Sequence, residues 1–220
     1  MADNGPPRRR QGLRRDAEAN RERLLAAALT AMLREGRNVP LAAIAAEAGV
    51  GVGTLYRKYP DRAGLMRALE HRAYALLNDI LDDIEEQAAK HNWAGIRCIE
   101  QYLIRCSEIA DQLVLPLHGA PPLTDAIALA ARRDINRRLD DFIASGVAEG
   151  TIRRDANGTD VIVFSALLTQ PVRHDQDWER ITARQRRLFL DGMATAAPSQ
   201  MPAPAVTAAD IEQGWQRSGP

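Results

Sequence analysis

The chain has 220 residues, of which 45% are hydrophobic, 26% charged and only 5% aromatic. Ala and Leu are abundant and β-branched residues sparse, which leans to helix, and no apolar run reaches the 18 or more residues of a membrane span. Basic and acidic residues balance at 29 each, yet residues 1–72 hold 14 Arg and Lys against 8 Asp and Glu, and the remainder holds 15 against 21.

A basic front and an acidic rear suggest that the first third meets a polyanion, although a chance split gives the same asymmetry. Arg8, Arg9 and Arg10 have no apolar stretch behind them, which argues against a signal peptide. Two cysteines, Cys98 and Cys106, are too few for a disulfide framework and fit a reducing cytoplasm, the expected location.

Residues 1–15 read as a disordered basic arm, with Gly5-Pro6-Pro7 followed by Arg8, Arg9, Arg10, Arg14 and Arg15. Helical periodicity starts near Asp16, and Leu24, Leu25, Ala28, Leu29, Met32 and Leu33 make one apolar stripe ended by Gly36. A short helix from Leu41 to Ala48 follows Pro40, Gly49 breaks it, and a third helix runs from about Val52 to Tyr59, before Pro60. Asp61 then caps a long helix with Leu65, Leu69, Leu76, Leu77, Ile80, Leu81 and Ile84 on its inward face.

Beyond His91-Asn92, the stretch from Trp93 to about Leu115 is apolar on most sides and reads as a helix inside a bundle. Further helices are expected from about Thr124 to Ser145, Asp160 to Thr169 and Trp178 to Ala196. The Pro/Ala-rich tail at 198–220 reads as flexible, with a possible short helix from Ala208 to Arg217. The fold class is therefore all-α, with domains at 16–62 and 63–197.

The informative segment is Leu41 to Pro60, LAAIAAEAGVGVGTLYRKYP. Two short helices joined by a glycine turn make a helix-turn-helix. Ala45 is small where the helices cross, and Gly49 supplies a left-handed backbone without a Cβ penalty. Ile44, Ala48, Val50 and Leu55 face inward, which leaves the outer face of the second helix for a DNA major groove about 12 Å wide. Helical hairpins without DNA share the bare pattern.

Wider context distinguishes them. Arg23-x-Leu25-Ala26-Ala27-Ala28, Glu35-Gly36, Ile44-Ala45-x-x-Ala48-Gly49-Val50, Gly53-Thr54-Leu55-Tyr56-Arg57-x-Tyr59 and Arg62-x-x-Leu65 fall in order over about fifty residues. In this the stretch from Arg21 to Leu69 resembles the DNA-binding domain of the TetR (tetracycline-repressor-like) family of transcriptional regulators. The resemblance implies an N-terminal three-helix domain linked by a long helix to a C-terminal bundle for ligand binding and dimerisation.

The resemblance also assigns roles. Gly51, Val52, Gly53 and Thr54 would lie at base edges or nearby phosphates, and Tyr56, Lys58 and Arg62 would donate to phosphate. Tyr59 is counted with this set, though it and Tyr56 also read as core aromatics. Arg57 is the long donor suited to guanine O6 and N7. Pro40 and Leu41 would place a helix N-terminus against phosphate, and Arg8 to Arg15 would enter the minor groove unless they form a solvated tail. Two departures stand out. Val39-Pro40 replaces the usual Ser or Thr before the second helix, and the two glycines of the third leave few side chains for reading bases.

The rear domain would pair two subunits and hold an effector. Val161, Phe164, Leu168, Ile181, Leu188 and Met193 are the expected interface, on the ground that paired half-sites one DNA turn apart need two recognition helices. Trp93, Tyr102, Cys106, Ile109, Leu113, His118, Phe142 and Phe164 are the expected pocket, and their character favours an apolar or aromatic ligand. Each also reads as plain core.

No Gly-x-Ser-x-Gly elbow, phosphate loop or Cys-x-x-Cys is present, and the four histidines lack metal spacing. Cys98 and Cys106 are separated by about 12 Å of helical rise. An enzyme is not expected, and no cofactor or metal. The expected function is a ligand-responsive, homodimeric DNA-binding regulator, most simply a repressor on a palindromic operator in double-stranded DNA. The alternative is a helical interaction module that has lost specific DNA binding.

Overall fold

The computed structural model describes residues 7–36, 38–113, 124–169, 178–194, 201 and 205–218, with side chains from residue 19 to residue 213. Their regular elements are all helices: α1 (Pro7–Glu35), α2 (Leu41–Glu47), α3 (Val52–Lys58), α4 (Arg62–His91), α5 (Gly95–Glu108), a 3-10 turn at Ala110–Gln112, α6 (Ala126–Ala148), α7 (Gly158–Leu168), α8 (Trp178–Met193) and α9 (Ala208–Ser218). Among the described residues, no helix is long and apolar enough to cross a membrane. The chain divides into two units, Met1–Leu69 and Glu70–Pro220. That division falls two turns further along α4 than the expected break at 62–63.

In the first unit α1 begins at Pro7, well ahead of the expected start near Asp16. Proline in the first turn loses no hydrogen bond, and the Arg, Gln, Leu, Ala and Glu that follow are good helix formers, interrupted up to Glu18 only by Gly12 and Asp16. The backbone of Arg8, Arg9, Arg10, Arg14 and Arg15 is therefore helical from the outset, not an unstructured arm. The apolar stripe of α1 is buried at Leu24, Leu25, Ala28, Leu29 and Met32, whereas Leu33, one residue off the stripe, is exposed. Gly36 at φ +90° ends the helix, its N–H donating to the Met32 carbonyl at 2.9 Å.

The second unit has one apolar core, shared by Leu77, Leu81 and Ile84 of α4, Ile99, Tyr102 and Leu103 of α5, Ile135, Leu139 and Ile143 of α6, Val161 and Leu168 of α7, and Leu190 and Met193 of α8. Burying each large side chain contributes about 1.5–3 kcal/mol. Helices α5 and α6 cross where both are bare: a Cβ on Gly95 would lie 2.2 Å from the Phe142 carbonyl oxygen and 2.5 Å from the Gly146 nitrogen.

Helix α5 stops at Glu108, short of the expected Leu115. The Ser107 hydroxyl donates back to the Leu103 carbonyl at 2.8 Å, and the chain tightens into the 3-10 turn beyond Ile109. The Asp125 side chain caps α6. Asn157 and Asp160 form a reciprocal capping box on α7, which starts two residues before the expected Asp160.

Polar bonds tie the outer layer of this unit together. Arg138 of α6, buried, reaches α4 at Asp82 and Glu85, both at 2.7 Å. The C-terminal helix α9 forms as expected, and it docks: Val206 accepts from the Asn157 amide at 3.0 Å, and Glu212 lies 3.9 Å from both Arg132 and Arg133. The described part of the tail is therefore held against α6.

Candidate nucleic-acid interface

The turn between α2 and α3 is four residues long, Ala48 to Gly51, and closes on itself. Gly49 adopts φ +65°, donates to Ala46 at 3.1 Å and lets the Val50 N–H reach the Ala45 carbonyl at 3.0 Å. A side chain at that φ would be strained, so glycine is the residue the turn requires. Ile44 and Ala45 of α2 and Leu55 of α3 are buried, while Ala48 and Val50 are half-buried, which sets the crossing from the inner side.

Helix spacing then decides what α3 presents. Leu55 and Tyr59, four apart, point inward, with Leu55 fully buried and Tyr59 6% exposed. Val52 and Tyr56, also four apart, point out at 42% and 47%. Gly51, Gly53, Arg57 and Lys58 are exposed and Thr54 is half-buried. A Cβ on Gly53 would meet nothing within 4 Å, so no packing within the unit demands glycine there. The resulting surface is a short ridge, smooth at its start and cationic at its end, of a width that enters a major groove.

Two expected contacts change character. Tyr59 is a core aromatic whose backbone N–H closes α3 on the Leu55 carbonyl at 2.7 Å. Arg62 is half-buried, and its Nη2 donates to the Val39 carbonyl at 2.6 Å. Pro40 is exposed and Leu41 half-buried at the start of α2, where Pro40 supplies no side-chain cap. The side chains of Arg8, Arg9, Arg10, Arg14 and Arg15 lie outside those described.

Residues 24–69, which span this whole assembly, match the family model described as bacterial regulatory proteins, tetR family. A TetR transcriptional regulator from Streptomyces coelicolor is 28% identical over 80% of this chain and 99% of its own, with a TM-score of 0.56. A TetR transcription regulatory protein from Mycobacterium vanbaalenii is 26% identical, with 83% and 99% covered and a TM-score of 0.54. A ketosteroid transcriptional regulator of Mycobacterium tuberculosis shares the fold at a TM-score of 0.62 and 15% identity, over 80% and 95% of the two chains. No curated protein matches the sequence.

Residues 24–69 are thus a DNA-binding domain of the tetR-family type, and over 80% of its length the chain is similar to a TetR transcriptional regulator.

The expected pocket residues are dispersed through the second unit's core. Tyr102 and Cys106 are almost wholly buried, Leu113 is buried, and Trp93, Ile109, Phe142 and Phe164 are half-buried against the same cluster. His118 lies outside the described residues. The Tyr102 phenol interacts with the Cys106 thiol and the Ser165 hydroxyl, a small polar knot in apolar surroundings. Burial pushes the Cys106 thiol up to about 12, so it stays protonated and inert. Trp93 sits at the margin instead, with the Arg97 guanidinium 5.6 Å from its ring.

The expected interface residues divide in two. Val161, Leu168 and Met193 are buried in the chain's own core, and Ile181 is half-buried. Phe164 stacks on Phe189 with ring centroids 4.0 Å apart. Leu188, in contrast, is 55% exposed, and two residues that periodicity missed share its character: Val163 and Leu167 of α7. Helix α7 is apolar all round, so no pattern in its sequence distinguishes the inward face from the outward one.

Proposed function

We propose that this regulator is a homodimeric repressor that binds a palindromic operator through α3 and leaves it when a small, mainly apolar effector enters the second unit. The observation that carries the reading is the outer face of α3, where Val52, Tyr56, Arg57 and Lys58 stand exposed over buried Leu55. Arg57 reads guanine, Tyr56 and Lys58 hold phosphate, and the backbone at Gly51 and Gly53 lies close to the duplex.

Pairing follows from the same contact. One short helix reads too few base pairs for a specific site, and a two-fold dimer doubles them over half-sites one helical turn apart. Val163, Leu167 and Leu188 supply exposed apolar side chains on α7 and α8 of the kind that association covers. A dimer seated on a promoter excludes polymerase, and an effector that favours another arrangement of the recognition helices releases it. The core around Ile99, Tyr102, Leu139 and Val161 favours an apolar effector, with the Tyr102–Cys106–Ser165 knot as its polar handle.

Selecting duplexes from random DNA with the full chain, followed by titration of selected and scrambled sequences, tests the reading. A two-fold symmetric motif bound well above scrambled DNA is expected. Equal affinity for both would defeat it.

A further inference from the structure

The guanidinium of Arg62 is turned into its own unit. Nη2 donates to the Val39 carbonyl at 2.6 Å across 23 residues of chain, and Nη1 is out of solvent with no hydrogen-bond partner among the described residues. Val39 is buried, and its N–H returns to the Gly36 carbonyl at 3.3 Å. Helix α2 starts two residues later with Pro40 at its N-cap, which has neither an N–H nor a capping side chain. The usual local tie at the head of such a helix is missing, and a bond from the first residue of α4 stands in its place. The chain between its two ends is α2, the Gly49 turn and α3. One charge-assisted hydrogen bond thus closes a ring around the whole helix-turn-helix.

We propose that Arg62 is a positioning residue, locking the helix-turn-helix in its DNA-reading orientation through the Val39 carbonyl, and is not itself a phosphate contact. The inference rests on DNA reading by α3 and replaces the phosphate role that the family resemblance implies for this position. One terminal nitrogen is bonded inside the protein and the other is buried, so neither faces a phosphate at the surface. Stability does not explain the arginine. A buried donor without a partner is costly, and an apolar side chain of similar volume in such a place is often neutral or stabilising. What an apolar chain cannot supply is a long, directional donor that holds one carbonyl. Without it, DNA must fix the orientation of α2 and α3 at the moment of binding, and affinity falls by that ordering cost.

The test compares full-length wild type, Arg62→Met and Arg62→Lys on a duplex selected by the wild type, titrated at several salt concentrations, with thermal unfolding alongside. Arg62→Met is expected to bind about tenfold or more weakly, with the slope of log affinity against log salt unchanged and the melting temperature not lowered. Arg62→Lys, which keeps a donor on a long stem, is expected to recover part of the loss. A slope reduced by about one unit in Arg62→Met would make Arg62 a phosphate contact and overturn the proposal. Wild-type affinity in Arg62→Met, no recovery by Arg62→Lys, or a Met variant that melts before the assay temperature would each overturn it as well. If the wild type itself selects no sequence, the failure lies in DNA reading by α3, not in the clamp.

Discussion

His71 of α4 and Asp125, the N-cap of α6, are joined side chain to side chain, with His71 Nε2 at 3.0 Å from Asp125 Oδ2. The same carboxylate accepts the backbone N–H groups of Ile127 and Ala128 at 3.0 and 3.1 Å. One aspartate therefore both starts α6 and ties it to α4. Burial alone pushes this carboxyl up, but the Ala128 N–H, the His71 ring and the Ile127 N–H outweigh it and hold the carboxyl below its ordinary value.

A carboxylate held down in the folded state stabilises the fold above its unfolded value and loses that contribution as pH falls through the folded one. Asp125→Ala is expected to lower stability by about 1 kcal/mol at neutral pH. Asp125→Asn, which keeps the cap and loses the charge, is expected to cost less. The difference between wild type and the Asn variant should shrink on acidification below about pH 4. Denaturant unfolding across pH measures both, and a gap that widens in acid contradicts the assignment.

Gly53→Ala separates folding from DNA reading. The added methyl meets nothing within 4 Å, and alanine is the better helix former, so stability should rise by about 0.5–1 kcal/mol. DNA affinity should fall, because in the proposed docking the methyl occupies space where the backbone of α3 approaches the duplex. Calorimetry and a fluorescence titration on the same preparation check the pair of signs. Undiminished binding would place the duplex away from Gly53.

The two roles proposed for the cationic end of α3 can be told apart by salt. Arg57→Ala is expected to cost about 1–3 kcal/mol on the best site and to relax preference at one base pair per half-site. Lys58→Ala is expected to weaken all sequences alike and to lower the salt slope by about one unit. An unchanged preference in Arg57→Ala would move base reading to Thr54 or to DNA shape.

For association, sedimentation of the wild type at micromolar concentration should give twice the 24.2 kDa chain mass. Leu167→Glu and Leu188→Glu should weaken the dimer and leave the fold intact, since both side chains are largely in solvent. Leu168→Ala acts on the opposite face of α7, where the side chain is buried, and should cost about 2–5 kcal/mol of folding stability. Charged variants that remain dimeric would exclude this face as the interface.

Gly95→Ala tests the α5–α6 crossing. Its Cβ would fall 2.2 Å from a backbone carbonyl oxygen, which cannot swing aside as a side-chain end can. Thermal unfolding should show a loss of about 1–3 kcal/mol or more. A neutral result would mean that the two helices are not in contact at Gly95.

Most of the helix-turn-helix was legible from residue order because its determinants are local. The turn needed a left-handed residue and Gly49 was there; Val52 and Tyr56, four apart, share the outward face of α3, away from Leu55. Tyr59 belonged to the inward side by the same spacing, four residues from Leu55, yet its hydroxyl suggested phosphate. The start of α1 was misplaced because a dense run of arginines reads as an arm, while each arginine is individually a good helix former.

The sequence by itself determined the class of fold, the place of the reading helix, and which side chains α3 turns outward, since 3.6-residue periodicity and turn chemistry act over a few residues. Only the tertiary structure decided that Arg62 spends its donor on Val39, that Glu212 returns to Arg132 and Arg133, and that α7 exposes Val163 and Leu167 while burying Val161 and Leu168. Those outcomes depend on which distant surface packs against a residue. A chain carries that information in its whole set of contacts at once, and an apolar helix or a lone arginine holds none of it in its own neighbourhood.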